Sequence, residues 1–456
     1  RLAAEAGLRD ARTVALLVAA TPAHRDKFER REDRWLDASR VAIRALRIQE
    51  TGQRDPLAPP LFPEGVAKEF AEIYGKETEA PEVFWFWSFV TIIGAAISGQ
   101  ATLLSLVRPQ PRLYTVLLAP SAVSRKSTAL RLTADFLRPA LEGRVAELWG
   151  LGSAEGLMKR LAPHQKPGIP VRTVILLDEL KSFVAKAKIE GQVLLPALTT
   201  LFEANKFENH VKTGSISLAD AHISLLGACT EQTYETMWDN QFLAIGLLNR
   251  LWIVPGRSEQ SCPLPPYVDD DRLHFLRRRV EALLEELDHR SGFGQGPRAR
   301  PPGPVELVLP EQALKLWESW YGNRPTDAHG VRLDSIGFRL MVLFEVLRGN
   351  LESVEADTVE SVVAWLDWQH KARQAHDPLD CDTLQAKVEA AIRRALAARG
   401  PLTRRELARY AHAERVGTYF FQQALQALRE AGEIAFDPKT KRFALATEGA
   451  VGARSA

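Results

Sequence analysis

Two neighbouring polar residues, Lys126 and Ser127, stand between an apolar run and an amphipathic stretch. The apolar run covers 113–118 and the amphipathic stretch covers 128–137. A strand, a loop and a helix in this order surround phosphates with backbone N–H groups, while a lysine contacts the terminal phosphates and Ser or Thr ligates Mg²⁺. This arrangement predicts that Lys126 binds phosphate and that Ser127 binds the metal ion.

The predicted phosphate loop departs from the usual glycine-rich pattern. We expect nucleotide contacts from Ser121, Ala122, Val123, Ser124, Arg125, Lys126, Ser127 and Thr128. Arg125 stands where glycine is usual, and glycine matters there because it permits a positive φ and a close backbone approach. Arg125 therefore predicts a slightly different loop conformation. The alternative is a basic surface turn that caps a helix.

An acidic pair, Asp178-Glu179, ends a second apolar run at 173–177, and Asp178 comes 52 residues after Lys126. An aspartate in this position holds Mg²⁺, and an adjacent glutamate polarises the water that attacks the γ-phosphorus. We therefore predict that Asp178 is a metal ligand and that Glu179 is catalytic. The alternative is that the pair simply begins a helix.

Two further residues are candidates for sensing or stabilising the γ-phosphate. Thr230 follows a third apolar run, 223–227, and would place a hydroxyl near the phosphate, although it is equally consistent with a turn residue. Arg250 begins a fourth run, 250–254, and is a candidate arginine finger that acts across a subunit interface. An ordinary surface arginine is the alternative for Arg250.

The elements that must position these residues follow from the apolar runs. Runs that are apolar on both faces suit a largely parallel sheet covered by helices, and strands that alternate with helices indicate the α/β class. We predict a helical N-terminal linker segment over 1–60, the α/β core over 61–290, an all-helical lid over 305–380 and a winged-helix domain over 383–446. The last prediction rests on the order of helices followed by a hairpin, 434–445.

Several basic residues are candidates for contacts with nucleic acid. Lys206 and Lys212 flank a predicted hairpin over 207–217, while Lys439, Lys441 and Arg442 lie near the tip of the predicted wing. The stretch 383–446 carries 12 Lys plus Arg against 6 Asp plus Glu, so its net charge is +6. Winged helices also bind proteins, so the role of this stretch stays open at this point.

Composition narrows the remaining possibilities. Charged residues make up 25% and hydrophobic residues 46%, which is ordinary for a globular protein. The three cysteines form no CxxC pair, which argues against a zinc ribbon or a disulfide framework and favours a cytoplasmic location. The uncharged stretch 83–107 predicts a buried helix over 83–98 and a strand over 101–107, and we expect no membrane span. A start at Arg1 suggests a fragment or a processed chain.

Four segments together resemble a known family: 113–128, 176–179, 223–228 and 246–251. They are similar to the P-loop ATPases of phage, plasmid and mobile-element primase-helicases, which often carry Arg-Lys-Ser in the phosphate loop. Arg125 would then be a family trait. The resemblance implies a P-loop NTPase core of the RecA/AAA+-like type, with a helical region after it and a primase-polymerase module upstream.

The resemblance also implies an activity. It suggests an ATP- and Mg²⁺-dependent DNA helicase or translocase for replication, which hydrolyses ATP at the subunit interfaces of a ring. The partners would be single-stranded DNA in a central channel and further copies of the chain, expected to form a hexamer. The rival hypotheses are an ATP-switched DNA clamp or loader, and a defence or repair ATPase.

Overall fold

The computed structural model describes residues 57–120, 124–165, 169–187, 194–211, 214–238, 246–257, 260–266, 268, 270–292, 303–377, 384–411, 413 and 417–446. The predicted N-terminal segment, 1–60, lies almost wholly outside them. The chain divides into two compact units. The first comprises Pro59–Arg394 and Ala408–Gln426; the described residues of the second are 57–58, 395–407 and 427–446.

Five parallel strands form the sheet of the first unit, in the order β3-β4-β7-β2-β8. They are β2 (Tyr114–Leu118), β3 (Ala146–Trp149), β4 (Val171–Leu177), β7 (Ala221–Cys229) and β8 (Leu251–Pro255). Every residue of β2, β4, β7 and β8 is buried, as expected for a parallel sheet with both faces covered. The predicted α/β class and largely parallel sheet are confirmed.

One helix of the first unit lies across this sheet. Helix α2 (Glu82–Ile97) follows α1 (Val66–Glu77) and contacts β2, β4, β7 and β8, while α1 and α3 (Lys126–Leu141) pack against α2. Of its 16 residues, 15 are buried. The buried helix predicted over 83–98 is therefore confirmed. Among the described helices, none combines the length and the apolar character needed to cross a membrane.

The strand predicted over 101–107 is shorter than expected. Strand β1 (Ala101–Leu103) pairs in parallel with β9 (Val305–Leu307) over three residues and then ends. Leu104, Leu106 and Val107 beyond it are exposed. The prediction was wrong for 104–107 because apolar character alone does not supply a partner strand.

The remaining helices of the first unit surround the sheet or extend the core. They are α4 (Ala154–Leu161), α5 (Leu180–Ala187), α6 (Leu194–Glu203), α7 (Glu231–Met237), α8 (Asp270–Ser291), α9 (Glu311–Asn323), α10 (Leu333–Arg348) and α11 (Ala356–Ala375). Short 3-10 turns cover Ala162–His164 and Leu248–Arg250. Helix α11 packs against β8, and Trp365 of α11 lies edge-on to Trp87 of α2 at 5.1 Å.

A hairpin separates α6 from β7. Strands β5 (Phe207–Val211) and β6 (Gly214–Leu218) pair antiparallel, as the sequence predicts for 207–217. Because β7 follows directly, the hairpin is carried between α6 and a central strand of the sheet.

Helices and a small antiparallel sheet follow α11. Helices α12 (Leu384–Arg399), α13 (Arg404–Tyr410) and α14 (Thr418–Glu430) precede the hairpin strands. The sheet order is β10-β12-β11, with β10 (Leu402–Thr403), β11 (Ile434–Asp437) and β12 (Arg442–Leu445) in the second unit. Thr403 and Glu406 form the predicted capping box, because Glu406 N donates to Thr403 Oγ1 and Glu406 Oε2 accepts from Thr403 N.

A buried histidine makes the first unit sensitive to acid. His222 lies at the start of β7 with its Nδ1 3.0 Å from Arg112 Nη1 and its Nε2 3.0 Å from Asp220 Oδ1. Because the arginine donates to Nδ1, a neutral ring donates from Nε2 to the carboxylate. Burial lowers the pKa of His222 to about 4 despite that carboxylate.

We expect unfolding to become easier as the pH falls from 6.5 towards 4. The folded pKa lies below the ordinary value of 6.5, so in this range the unfolded chain binds a proton that the folded chain does not. The free energy of unfolding therefore falls, by about 3 kcal/mol near pH 4. Urea unfolding of His222→Gln should show a weaker pH dependence than wild type, whereas His274→Gln, at an exposed position, should behave like wild type. Equal pH dependence in all three proteins would contradict this expectation.

Candidate nucleotide-binding site

The lysine predicted to bind phosphate stands at the start of α3. Helix α3 begins at Lys126, eight residues after the end of β2 at Leu118. Lys126 is half-buried, and its Nζ donates to the carbonyl oxygens of Ala119 (3.0 Å) and Pro120 (3.1 Å). Burial lowers the pKa of this amine, while Cys229 and Glu231 raise it. The amine is thus held by the two backbone carbonyls that directly follow β2.

Arg125 adopts the left-handed backbone conformation that glycine takes readily. Its φ is 43° and its ψ is 37°, at a strain of about 1–2 kcal/mol for a residue with a Cβ. Its Nε pairs with Glu79 Oε2 at 2.8 Å, and Glu79 Oε1 accepts from Cys262 N at 3.0 Å. The Cys262 amide and then Arg125 lower the pKa of Glu79. The loop is therefore tied to two segments outside it.

Of the other predicted loop residues, the structure describes Ser124, Ser127 and Thr128. Ser124 is buried, and its hydroxyl has no hydrogen-bond partner in the described part of the chain. Ser127 is half-buried in the first turn of α3, where backbone N–H groups lack helical partners, and Thr128 is exposed. Ser121, Ala122 and Val123 lie outside the described residues.

The acidic pair follows β4 directly, and α5 begins immediately after it at Leu180. Asp178 Oδ2 accepts from Arg131 Nη2 at 2.8 Å, whereas the buried Oδ1 has no hydrogen-bond partner among the described residues. A buried carboxylate oxygen without a donor is costly unless a cation or water satisfies it. Glu179 is exposed and accepts from Ser182 Oγ at 3.3 Å. The pair thus precedes a helix, as the alternative interpretation expects, and its role as a metal site stays a prediction.

Arg131 pairs with the carboxylate that a metal ion at Asp178 would need. Its side chain is 62% exposed, and exposed ion pairs contribute about 0–1 kcal/mol. We expect Arg131→Gln to lower the Mg²⁺ concentration at half-maximal nucleotide binding by about two- to fivefold. Arg138→Gln, at an arginine of the same helix that pairs with Glu147, is the control and should leave this concentration unchanged. A higher Mg²⁺ requirement in Arg131→Gln would contradict the competition.

Thr230 stands at the carboxyl end of β7 and caps α7. Its Oγ1 accepts from Thr233 N at 3.1 Å and lies 2.8 Å from Thr233 Oγ1. The hydroxyl therefore has a local structural role, and the sensor function stays a prediction. The next residue, Glu231, is buried and pairs with Arg257 at 3.7 Å.

The loop, the acidic pair and Thr230 follow three strands that are neighbours in the sheet. Strand β7 lies between β4 and β2, and all three are parallel, so their carboxyl ends meet at one edge. After β2 the chain continues to β3 at one side of the sheet, and after β7 it continues to β8 at the other. Connections that leave in opposite directions open a crevice, which is where open α/β sheets bind ligands. Lys126 and Thr230 flank this crevice.

Arg250 lies at the opposite edge of the sheet. It precedes β8, so it marks the amino end of that strand, whereas Lys126 follows the carboxyl end of β2. The side chain is buried, donates to Gly246 O at 2.7 Å and lies 3.4 Å from Glu203 Oε1. Within one chain Arg250 does not join the candidate site, and the predicted role across an interface stays a prediction.

The basic residues predicted to contact nucleic acid are accessible where the structure describes them. Lys206 is exposed just before β5; Lys212 lies outside the described residues. Lys439, Lys441 and Arg442 are exposed at the β11–β12 turn, which Asp437 stabilises by accepting from Lys439 N at 2.8 Å. Arg442 also donates to Pro401 O at 3.0 Å.

A cavity of about 270 Å³ adjoins the acidic pair. Besides Asp178 and Glu179, Trp149, Leu151, Phe183 and Lys186 line it. No cluster of three or more His, Cys, Asp or Glu side chains that could hold a metal ion occurs in the described part of the chain. A Mg²⁺ site with few protein ligands, completed by phosphate and water, is compatible with this finding.

Three side chains that shape the site were not predicted. Arg131 contacts Asp178, which is 47 residues away in the sequence, and Glu79 contacts Arg125, which is 46 residues away. No local sequence pattern identifies such contacts. Glu231 carried a weak signal, because it directly follows the candidate sensor Thr230.

Comparison with known proteins adds no relative: no protein-family model matches the chain, and no curated protein matches it.

Proposed function

We propose that the chain is a Mg²⁺-dependent ATPase with a P-loop NTPase core of the RecA/AAA+-like type, and that it drives movement along DNA or its unwinding. The observation that carries the proposal is the meeting of Lys126, Asp178-Glu179 and Thr230 at the carboxyl ends of three adjacent parallel strands. The crevice between β2 and β7 is the expected position of a nucleotide in such a sheet.

The chain's own residues would divide the work of binding and hydrolysis. The first turn of α3 and the loop before it offer N–H groups to phosphate oxygens, and Lys126 exchanges the carbonyls of Ala119 and Pro120 for the terminal phosphates. Ser127 and the unpartnered Oδ1 of Asp178 fit a Mg²⁺ ion. That ion would neutralise charge on the phosphates.

Glu179 suits the role of general base. Its carboxylate is exposed next to Asp178 and accepts from Ser182 Oγ, and its exposure leaves room for a hydrogen bond from a water molecule. Withdrawal of a proton from that water would favour in-line attack on the γ-phosphorus. The buried Ser124 hydroxyl, which lacks a partner, is a further donor for the phosphates.

Action on DNA is supported by basic groups outside the crevice. The β5–β6 hairpin, with exposed Lys206 at its base, leads into β7. Because Thr230 directly follows the other end of β7, this strand connects the hairpin with the candidate sensor. The helices and small antiparallel sheet near the C-terminus, with exposed Lys439, Lys441 and Arg442, suit a winged helix that contacts phosphates. The helices α9, α10 and α11 would form the lid.

Turnover measurements separate the motor from a nucleotide-controlled clamp. A motor should hydrolyse ATP faster when single-stranded DNA is added, and the stimulation should disappear in the double variant Lys439→Ala, Lys441→Ala or in Lys206→Ala. ATP binding with negligible turnover, with or without DNA, would instead favour the clamp or loader. Absence of ATP binding would contradict both.

Mixed subunits test whether Arg250 acts across an interface. Arg250→Ala and Lys126→Ala should each lack ATPase activity, and mixtures should recover part of it, because some interfaces then combine an intact Lys126 with an intact Arg250 from the neighbouring copy. The readout is turnover as a function of mixing ratio. No recovery at any ratio would mean that Arg250 acts only within its own chain.

A further inference from the structure

Three arginines share the carboxylate of Glu203, the last residue of α6. Glu203 Oε1 pairs with Arg332 Nη1 and lies 3.4 Å from Arg250 Nε, and Oε2 lies 3.4 Å from Arg339 Nη2. These residues lie at the amino-terminal edge of the sheet, because Arg250 precedes β8. The site is therefore on the opposite edge from the Lys126 loop.

A fourth guanidinium, that of Arg112, adds to the positive charge. The Phe202 carbonyl accepts both from Arg112 Nε at 3.0 Å and from Arg339 Nη2 at 2.8 Å. Burial, and then the charge of Arg112, lowers the pKa of Arg339 to about 9. Glu203 pairs with three of these guanidinium groups and acts on Arg112 only through its charge, so one carboxylate offsets four positive charges. We call Arg112, Arg250, Arg332 and Arg339 the arginine cluster.

Part of the arginine cluster has a structural explanation. Arg112 and Arg339 donate to the carbonyl of Phe202 in the last turn of α6, and cations near a helix C-terminus are favourable. Arg250 and Arg332 make no such contact with that carbonyl. Moreover, among the described residues the buried Arg339 Nε and Arg112 Nη2 have no hydrogen-bond partner, which is costly for charged groups.

We propose that the arginine cluster is a second phosphate-binding site, in which the Glu203 carboxylate occupies the anion position until a phosphate group displaces it. Guanidinium groups match phosphate in both charge and bidentate geometry. Access is available from the solvent side, since the side chains of Glu203 and Arg332 are each 36% exposed. The site does not depend on the ATPase assignment.

Two sources can supply the phosphate. One is the backbone of nucleic acid, because Lys206 follows Glu203 by three residues, at most about 11 Å of chain, and begins the β5–β6 hairpin. The other is a nucleotide bound to a neighbouring copy, which would meet the site through Arg250. The recognised chemistry is the same in both cases.

The test uses inorganic pyrophosphate as the probe and Lys126→Ala as the background, so that binding at the loop is removed. We expect Arg332→Gln to weaken pyrophosphate binding about tenfold, because it removes a charge-assisted donor, and Glu203→Gln to strengthen it. Arg348→Gln is the matched control, since Arg348 is also 36% exposed and pairs with one carboxylate, Asp357.

Two outcomes of the pyrophosphate measurement would overturn the proposal: equal binding in Arg332→Gln and Arg348→Gln, or no gain in Glu203→Gln that retains its fold. If Glu203→Gln does not fold, the comparison of the two surface arginines decides. The proposal on ATP is judged separately. A wild-type chain that binds no ATP would contradict the ATPase and leave the pyrophosphate comparison intact.

The source is identified with the same variants. Weaker binding of oligothymidylate to Arg332→Gln than to Arg348→Gln, in the Lys126→Ala background, would assign the site to nucleic acid. For the second source, Arg250→Ala subunits are mixed with Lys126→Ala subunits that also carry either Arg332→Gln or Arg348→Gln. Loss of ATP turnover with Arg332→Gln but not with Arg348→Gln would assign the site to a neighbour's nucleotide. No difference in either arm would overturn the proposal.

Discussion

Replacing Lys126 by alanine should lower the ATPase kcat/KM by about 100- to 1000-fold, roughly the effect of deleting one preorganised charged donor at a reacting group. The amine is half-buried and has no acidic hydrogen-bond partner among the described residues, only the carbonyls of Ala119 and Pro120. A charge held in this way is positioned for an anion rather than for a structural ion pair. The measurement is steady-state turnover combined with nucleotide binding.

The loss should be confined to function. Because burial already lowers the pKa of Lys126, removal of the amine also removes a desolvated charge, so we expect little change in thermal unfolding. Lys159→Ala is the control, since Lys159 is an exposed lysine of α4 paired with Glu155. If Lys126→Ala retains wild-type turnover, the loop does not bind the reacting phosphates.

Replacing Glu179 by glutamine should lower kcat by about 100-fold or more while nucleotide binding persists, because a positioned general base contributes about 10²- to 10⁴-fold. Glutamine keeps the size of the side chain and can still meet Ser182, but it cannot take a proton from water. The expected signature is an unchanged nucleotide Kd with a strongly reduced kcat.

A matched carboxylate separates this effect from general loss of charge. Glu155→Gln removes an exposed carboxylate from α4, and its turnover should equal that of wild type. A Glu179→Gln protein that hydrolyses ATP normally would contradict the assignment of the base. A protein that loses nucleotide binding instead would mean that Glu179 acts mainly on the metal or on the fold.

The strands that carry the site were predictable because burial on both faces leaves a continuous apolar run. Strands β2, β4, β7 and β8 were predicted at 113–118, 173–177, 223–227 and 250–254, close to their observed bounds. Strand β3 is only partly buried and has no comparable run, so it was not predicted. Residues that end a buried strand are therefore the part of a site that sequence reasoning reaches first.

Contacts between distant segments were not predictable in the same way. The ion pairs of Arg131 with Asp178 and of Arg125 with Glu79 depend on how α3 and the α1–α2 connection lie in three dimensions. The edge of the sheet on which Arg250 lies was available from the sequence, since a residue that precedes a parallel strand stands at its amino end. That inference separates Arg250 from Lys126 within one chain.

The left-handed Arg125 also explains why glycine is dispensable before Lys126. Glycine reaches a φ of 43° without strain, whereas arginine does so here while its side chain pairs with Glu79. The exposed ion pair offsets part of the backbone strain, so it favours a turn that the composition of the loop alone argues against. A change in Glu79 would remove that compensation.

The apolar helix α2 has a consequence for synthesis of the chain. It ends at Ile97, but the last strand of the sheet that covers it ends at Pro255, 158 residues later. At typical translation rates this interval lasts about 8–30 s. During that time a helix with aromatic and aliphatic groups on every side has no sheet to pack on, so the nascent chain should be a preferred client of chaperones that bind hydrophobic segments.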